Sequence, residues 1–210
     1  MLGRVRATGC VLRRGFSSAK ADYDVVIVGG GCGGIGAASQ LLMKDRGLKI
    51  AIVEPSNEHY YQPGWTLAGA NLLPMKSTVD EMSNVMPKKV TWVKQRCETF
   101  APEENKVVTD GGELTYRTLL VSPGIRLNFD HVKGLEESLG KNGVCSNYSY
   151  NTVSFTRQFA ESTKKGTFIF TSPASPIKCG GAPLKAAFLI DDLSRRLGNR
   201  DSQNFKFCAG

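Results

Sequence analysis

The segment Tyr23-Asp-Val-Val-Ile-Val-Gly-Gly-Gly-Cys-Gly-Gly34 constrains the fold of this chain more than any other stretch. Val25 to Val28 read as a buried parallel strand. Gly29, Gly31 and Gly34 then give the G-x-G-x-x-G spacing, and Ile35 to Lys44 open a helix whose amino terminus can hold a pyrophosphate. In this reading Gly29 permits the tight turn, Gly31 lets the backbone approach the phosphates, and Gly34 lets helix and strand pack closely. The spacing alone would be weak. It gains force from a second apolar strand, Lys49–Val53, and from the acid that ends it: Glu54, 20 positions after Gly34, is placed to accept the adenosine ribose hydroxyls.

The formal net charge of +8 invites a nucleic-acid reading, yet Arg4, Arg6, Arg13, Arg14 and Lys20 all precede the first acid, Asp22. Without those five the balance is 22 basic against 19 acidic residues, so the basic character belongs largely to the leader and no nucleic-acid partner is expected. The leader, 1–18, is arginine-rich, acid-free and ends in Arg14-Gly-Phe-Ser-Ser18, as mitochondrial transit peptides do. No run approaches 18 apolar residues, which excludes a spanning helix. The six cysteines, Cys10, Cys32, Cys97, Cys145, Cys179 and Cys208, show no C-x-x-C spacing and have few histidines near them. Neither a metal site nor a disulfide framework is expected.

The pattern predicts an α/β protein. A Rossmann-like dinucleotide-binding domain over 22–150 carries an inserted antiparallel meander, and 151–210 begins a second, incomplete Rossmann-like domain. The first unit reads as strand, helix from about Cys32 to Arg46, and strand. An aromatic loop follows over Pro55–Ala70, and then a helix from Ser77 or Thr78 to just before Pro87, with Asp80 and Glu81 in its first turn. Val90–Cys97, Lys106–Thr109 and Glu113–Tyr116 read as short antiparallel strands with a hairpin at Asp110-Gly-Gly112, and Leu119–Val121 as a buried strand ended by Ser122-Pro-Gly124. Asn151 or Thr152 caps a helix ended by Gly166. A second βαβ then runs from Phe168–Phe170, through a helix beginning at Pro183 and ended by Gly198, to Phe205–Phe207.

In that second unit the turn after the strand lacks the glycines of a nucleotide loop. It reads Thr171-Ser-Pro-Ala-Ser-Pro-Ile-Lys-Cys-Gly-Gly-Ala-Pro183, which places Cys179 at the ligand-binding edge of a sheet. Adjacent Lys178 and the start of the following helix both favour thiolate, and Gly180-Gly181 leaves room around the sulfur. A free cysteine is more often a small buried hydrophobe, but a setting of Pro, Lys and Gly points to reactivity instead. By the same test Cys32, Cys97 and Cys145 receive no catalytic role.

Four segments, Val28–Gly34, Glu54–Thr66 (with Tyr-Gln-Pro-Gly-Trp-Thr), Ser146–Ser149 and Pro176–Pro183, together resemble the mitochondrial sulfide:quinone oxidoreductases over about Tyr23 to Phe207. The resemblance implies FAD, with Cys32-Gly33 at the pyrophosphate, Glu54 at the ribose, Gln62 and the Gly124 turn near the cofactor, and Cys97 beside the adenine through its backbone. It further implies that Cys179 is one of two redox cysteines and the one that carries persulfide sulfur. Hydrogen sulfide, ubiquinone and a small acceptor such as glutathione or sulfite are the implied partners. The implied location is the surface of the mitochondrial inner membrane, reached through a carboxy-terminal region that this chain lacks. Ser122-Pro-Gly124 and Arg126 depart from the commoner Ala-Thr-Gly or Ala-Leu-Gly turn. The second cysteine and the later flavin-contacting motif are absent too, so this exact chain is expected to be incomplete for turnover. The alternatives are an NADH:quinone-type flavoprotein, disfavoured by the missing second glycine loop, and a non-catalytic flavin-binding fragment.

Overall fold

Val25–Val28 and Ile50–Val53 are buried at every position, as strands covered on both faces must be. They are β1 (Tyr23–Val28) and β2 (Ile50–Val53) of a computed structural model that describes residues 21–173 and 176–210. The expected transit peptide, Cys10 and two residues of the Cys179 loop, 174 and 175, lie outside the described residues. Between β1 and β2 runs α1 (Cys32–Lys44). The chain continues through β3 (Glu58–Tyr60), α2 (Trp65–Gly69), β4 (Val79–Glu81), α3 (Met82–Val85), β5 (Val90–Val93), β6 (Cys97–Ala101), β7 (Lys106–Thr109) and β8 (Gly112–Val121). It ends with α4 (Leu135–Ser138), α5 (Tyr150–Ser162), β9 (Gly166–Ser172), α6 (Ala182–Arg196) and β10 (Gln203–Ala209).

Six strands form one mixed sheet in the order β5-β2-β1-β8-β7-β6. β5, β2, β1 and β8 are parallel, whereas β6, β7 and the first half of β8 form the antiparallel meander. Alternate residues of β1 and β2 face opposite cores. Val25, Ile27, Ile50 and Ile52 meet Ala38 of α1, and Val26, Val28, Ala51 and Val53 meet Val107 and Tyr116 of the meander. Ile27, Ile50 and Ile52 are fully buried, so truncating any one to Ala costs about 2–5 kcal/mol.

Register is what builds the site. Val28 pairs with both Val53 and Val121, so the carboxyl ends of β1, β2 and β8 stop level with one another. The next residues, Gly29, Glu54 and Ser122, therefore emerge side by side.

Several sequence expectations are corrected. Val90–Val93 pairs parallel with β2 and belongs to the Rossmann sheet, not to the meander. Glu113–Tyr116 and Leu119–Val121 form one continuous strand, because β8 pairs with β7 in its first half and with β1 in its second. Val121 is 53 % exposed where that strand runs out into the turn. The helix expected from Ser77 is only the single turn α3. Val79–Glu81 pairs instead as β4 with β3, a strand whose three residues show no readable period, so tertiary pairing overrides the acid-rich helix start.

β9 and β10 pair in parallel along their whole length, and α6 crosses between them. Phe168, Phe170 and Phe205 pack with Ile190 and Leu193 of α6, Ala160 of α5 and Ala70, so residues on both sides of the expected boundary at 150 share one core cluster. No helix among the described residues is long and apolar enough to cross a membrane.

The start of β1 is clamped by two carboxylates. Asp22 accepts from the Thr115 hydroxyl at 2.8 Å, and Asp24 accepts from the Lys49 backbone N–H at 2.9 Å and from Arg117 at 3.1 Å. Those hydrogen bonds hold both carboxyl groups below the ordinary aspartate value of 3.8. A depressed folded pKa adds stability that is present above the unfolded value and is lost as pH falls through the folded one. Acid titration followed by circular dichroism should therefore show stability falling below about pH 4, and less steeply in an Asp22→Asn/Asp24→Asn double variant.

Candidate functional site at the carboxyl edge of the parallel sheet

Because the strands end together, three turns interlock at this edge. Gly29 has φ +108°, and a Cβ there would lie 2.2 Å from the Ser122 carbonyl oxygen. A Cβ on Gly34 would lie 1.9 Å from the Gly29 carbonyl oxygen, so α1 approaches β1 as closely as only glycine permits. A Cβ on Gly33 would meet the Ser122 hydroxyl at 2.5 Å, whereas one on Gly31 would meet nothing within 4 Å. The loop is thus packed tight on its inner side and open at Gly31. Gly31 caps α1 without a side-chain hydrogen bond, and the first turn of α1 carries no acid, so the positive end of the helix dipole faces that opening.

Glu54 does more at this edge than its position in the sequence suggests. Its Oε2 accepts the Gly30 backbone N–H at 2.8 Å and its Oε1 accepts that of Ser56 at 2.8 Å, while the Trp92 indole N–H donates to its carbonyl at 2.8 Å. One carboxylate thereby ties the glycine loop to the end of β2, and each oxygen keeps a lone pair for a ligand hydroxyl. Glu54→Ala should weaken dinucleotide binding by about 1–3 kcal/mol, through loss of charge-assisted hydrogen bonds to the loop and to the ligand. Flavin titration by fluorescence quenching checks this, and unchanged affinity would remove Glu54 from the site.

A cavity of about 340 Å³ opens beside this edge, lined by Tyr60, Gln62, Trp65, Gly124, Tyr148 and Lys178 among others. Gly124 has φ +77° and turns the chain out of β8. The Lys178 ammonium donates to Gln62 Oε1 at 2.6 Å and stands over the Trp65 ring at 4.7 Å and the Tyr148 ring at 5.4 Å. Loss of water contact between those rings lowers the Lys178 pKa, and negative charge on Cys179 opposes the shift. The Tyr148 hydroxyl donates to the Cys179 carbonyl at 2.9 Å, fixing the backbone next to an exposed thiol. Tyr60 is pushed up to about 12, first by its 2.6 Å hydrogen bond to Glu58 and then by burial. Trp65 is 4 % exposed, and its indole N–H has no protein partner among the described residues.

The structure thus brings Gly29, Gly31, Cys32, Gly33, Gly34, Glu54 and Gly124 to one sheet edge and sets Gln62 in the adjoining cavity, while Cys179 is exposed and follows the cavity-lining Lys178 in the chain. Cys97, at the start of β6, packs against the core cluster that contains Val28 and Val53, and burial pushes its thiol pKa up. Burial also raises Cys145. Sequence reading missed the Lys178–Gln62 link, which joins residues 116 positions apart, and Tyr148. It also missed His59, whose ring bonds the Gly30 carbonyl. A histidine in an aromatic loop past a strand's carboxyl end was the one signal available for it.

The description of the family model that matches residues 23–157 is "Pyridine nucleotide-disulphide oxidoreductase". The mitochondrial sulfide:quinone oxidoreductase of Dictyostelium discoideum is 50% identical over 187 residues, covering 87% of this chain and 41% of that protein. Its namesake in Mus musculus is 37% identical over 218 residues, covering 97% of this chain and 48% of that protein. The chain therefore spans less than half the length of these curated relatives. Among solved structures, the sulfide:quinone oxidoreductase of Aquifex aeolicus superposes with a TM-score of 0.71 at 19% identity, over 88% of this chain and 42% of that one. At that identity the match shows the fold alone.

Proposed function

Because the chain belongs to the pyridine nucleotide-disulphide oxidoreductase family, we propose that it carries the FAD-binding and sulfur-carrying part of a mitochondrial sulfide:quinone oxidoreductase. The observation that supports this most is a cavity that adjoins the dinucleotide cradle through Pro123 and Gly124, past the end of β8, and is lined on its other side by the caged Lys178, the chain neighbour of Cys179.

The residues present fit FAD. The open face of Gly31 and the uncapped start of α1 suit a pyrophosphate, Glu54 suits the ribose, and the adjoining cavity offers an unpartnered Trp65 N–H. The bound cofactor would supply a two-electron acceptor between sulfur and ubiquinone. Lys178 holds a positive charge where hydrosulfide and a Cys179 thiolate would meet, and Tyr148 anchors the backbone of that thiol. In the reaction, sulfide attacks a disulfide or trisulfide formed with a second cysteine. One sulfur–sulfur bond forms as another breaks, sulfane sulfur stays on Cys179, and the second thiolate leaves with the electron pair. A glutathione thiolate or sulfite then removes the sulfur from Cys179.

Two assays test the reading. Protein refolded or expressed with FAD should retain yellow flavin absorbance after gel filtration, and sulfide should drive reduction of a soluble ubiquinone analogue when the chain is joined to the remainder of such an enzyme. A colourless protein would overturn the cofactor assignment. Flavin retention with no sulfide response in the joined form would overturn the activity.

A further inference from the structure

Cys32 and His59 form a nucleophilic pair inside the cradle that the proposed chemistry does not use. Cys32 is exposed, is the first residue of α1, and has its Sγ 3.7 Å from His59 Nε2. His59 Nδ1 lies 3.2 Å from the Gly30 carbonyl oxygen. A carbonyl only accepts, so that hydrogen bond puts the imidazole proton on Nδ1 and leaves Nε2 as an acceptor aimed at the thiol. Thiol, base and a group orienting the base are the three parts of an activated sulfur nucleophile. His59 is also held from its own strand, since β3 pairs with β4 in a register that sets His59 opposite Asp80.

We propose that Cys32 is a thiol-modification site at which a low-molecular-mass disulfide of the oxidised-glutathione class forms a mixed disulfide, and that the adduct closes the dinucleotide cradle. The Cys32 proton passes to His59 Nε2, and the thiolate attacks one sulfur of the disulfide. A new sulfur–sulfur bond forms, the old one breaks, and the departing thiolate takes the proton from His59. Cys32 is oxidised and one half of the disulfide is reduced, so no further redox partner is needed. The adduct is bulky and anionic, and it stands next to Gly31, where the loop is open. It occupies the same positively polarised space that the pyrophosphate would use, and this competition rests on the FAD reading above.

The test uses the full chain without flavin. Protein is exposed to oxidised glutathione, quenched over time and mapped by peptide mass, with Cys208 as the reference because it is also exposed. Cys32 should acquire the adduct about tenfold faster than Cys208 or more, and His59→Gln should remove that advantage. An unfolded variant would show itself by new labelling of half-buried Cys97. Prior addition of FAD should protect Cys32, the adduct should prevent flavin retention, and dithiothreitol should restore it. Cys32 reacting no faster than Cys208, or adduct-bearing protein keeping flavin as well as reduced protein does, would overturn the proposal. Should the reduced protein take up no flavin at all, the cofactor reading fails. The modification site is then decided by the relative rate at Cys32.

Discussion

Gly34→Ala is expected to abolish dinucleotide binding and to destabilise the chain by about 3 kcal/mol, the upper range for overpacking a close contact. The added methyl would sit 1.9 Å from the Gly29 carbonyl oxygen and 3.1 Å from an Ile27 methyl. Neither neighbour can give easily. The Gly29 carbonyl belongs to a turn fixed at φ +108° against the Ser122 carbonyl, and Ile27 is fully buried between β2, β8 and α1. Relief requires α1 to retreat from β1, which carries Gly31 and the helix terminus away from the sheet edge. Gly31→Ala is the matched control. Its Cβ meets nothing within 4 Å, and its φ of −73° suits any residue. Losing glycine at a helix cap costs up to about 1 kcal/mol, offset by about 0.4–1 kcal/mol from a less flexible unfolded chain. Stability should therefore hardly change while flavin affinity falls about tenfold or more, since the methyl projects where a phosphate must approach. Chemical denaturation and flavin titration on both variants separate the two roles. Equal stability loss in both would mean that the loop is not packed as described.

The contrast between these glycines shows why part of the site was legible in the sequence. Gly29, Gly31, Gly34 and Glu54 act through spacing along a single βαβ unit, where strand and helix periods are known, so their neighbourhood follows from counting. Val28, Val53 and Val121 ending level, by contrast, depends on which strand lies beside β1. Nothing local says that β8, some 90 residues away, fills that place, and the Ser122 contacts with Gly29 and Gly33 come from that pairing. The misread helix at Ser77 has the same origin. Asp80 and Glu81 look like a helix start, but Tyr60↔Val79 pairing decides their backbone. Lys178 was read only as a neighbour of Cys179, because its contacts with Gln62, Trp65 and Tyr148 cross the chain. Long-range packing, not local chemistry, turns it into a fixed charge.

That fixed charge yields the second large effect. Treated with inorganic polysulfide as a sulfane-sulfur donor, the chain should hold cyanide-labile sulfur on Cys179, and Cys179→Ser should lose it from that peptide entirely. Lys178→Met should slow loading at Cys179 by about tenfold, because the ammonium attracts the anionic polysulfide and offsets the negative charge on the reacting sulfurs. Lys178→Arg should restore most of the rate, because guanidinium keeps the charge, can donate to Gln62 and stacks on Trp65 and Tyr148. The pH profile distinguishes charge from packing. Burial between the rings places the Lys178 pKa below the ordinary 10.5, so its charge and the rate it supports should be lost on the alkaline side before an ordinary lysine would titrate. In Lys178→Arg that alkaline fall should vanish, since guanidinium stays protonated throughout the range. Sulfane sulfur persisting on the Cys179→Ser peptide would overturn the carrier assignment. An unaltered rate and pH profile in Lys178→Met would show that the cage holds the lysine only for packing, leaving Cys179 to react without electrostatic help.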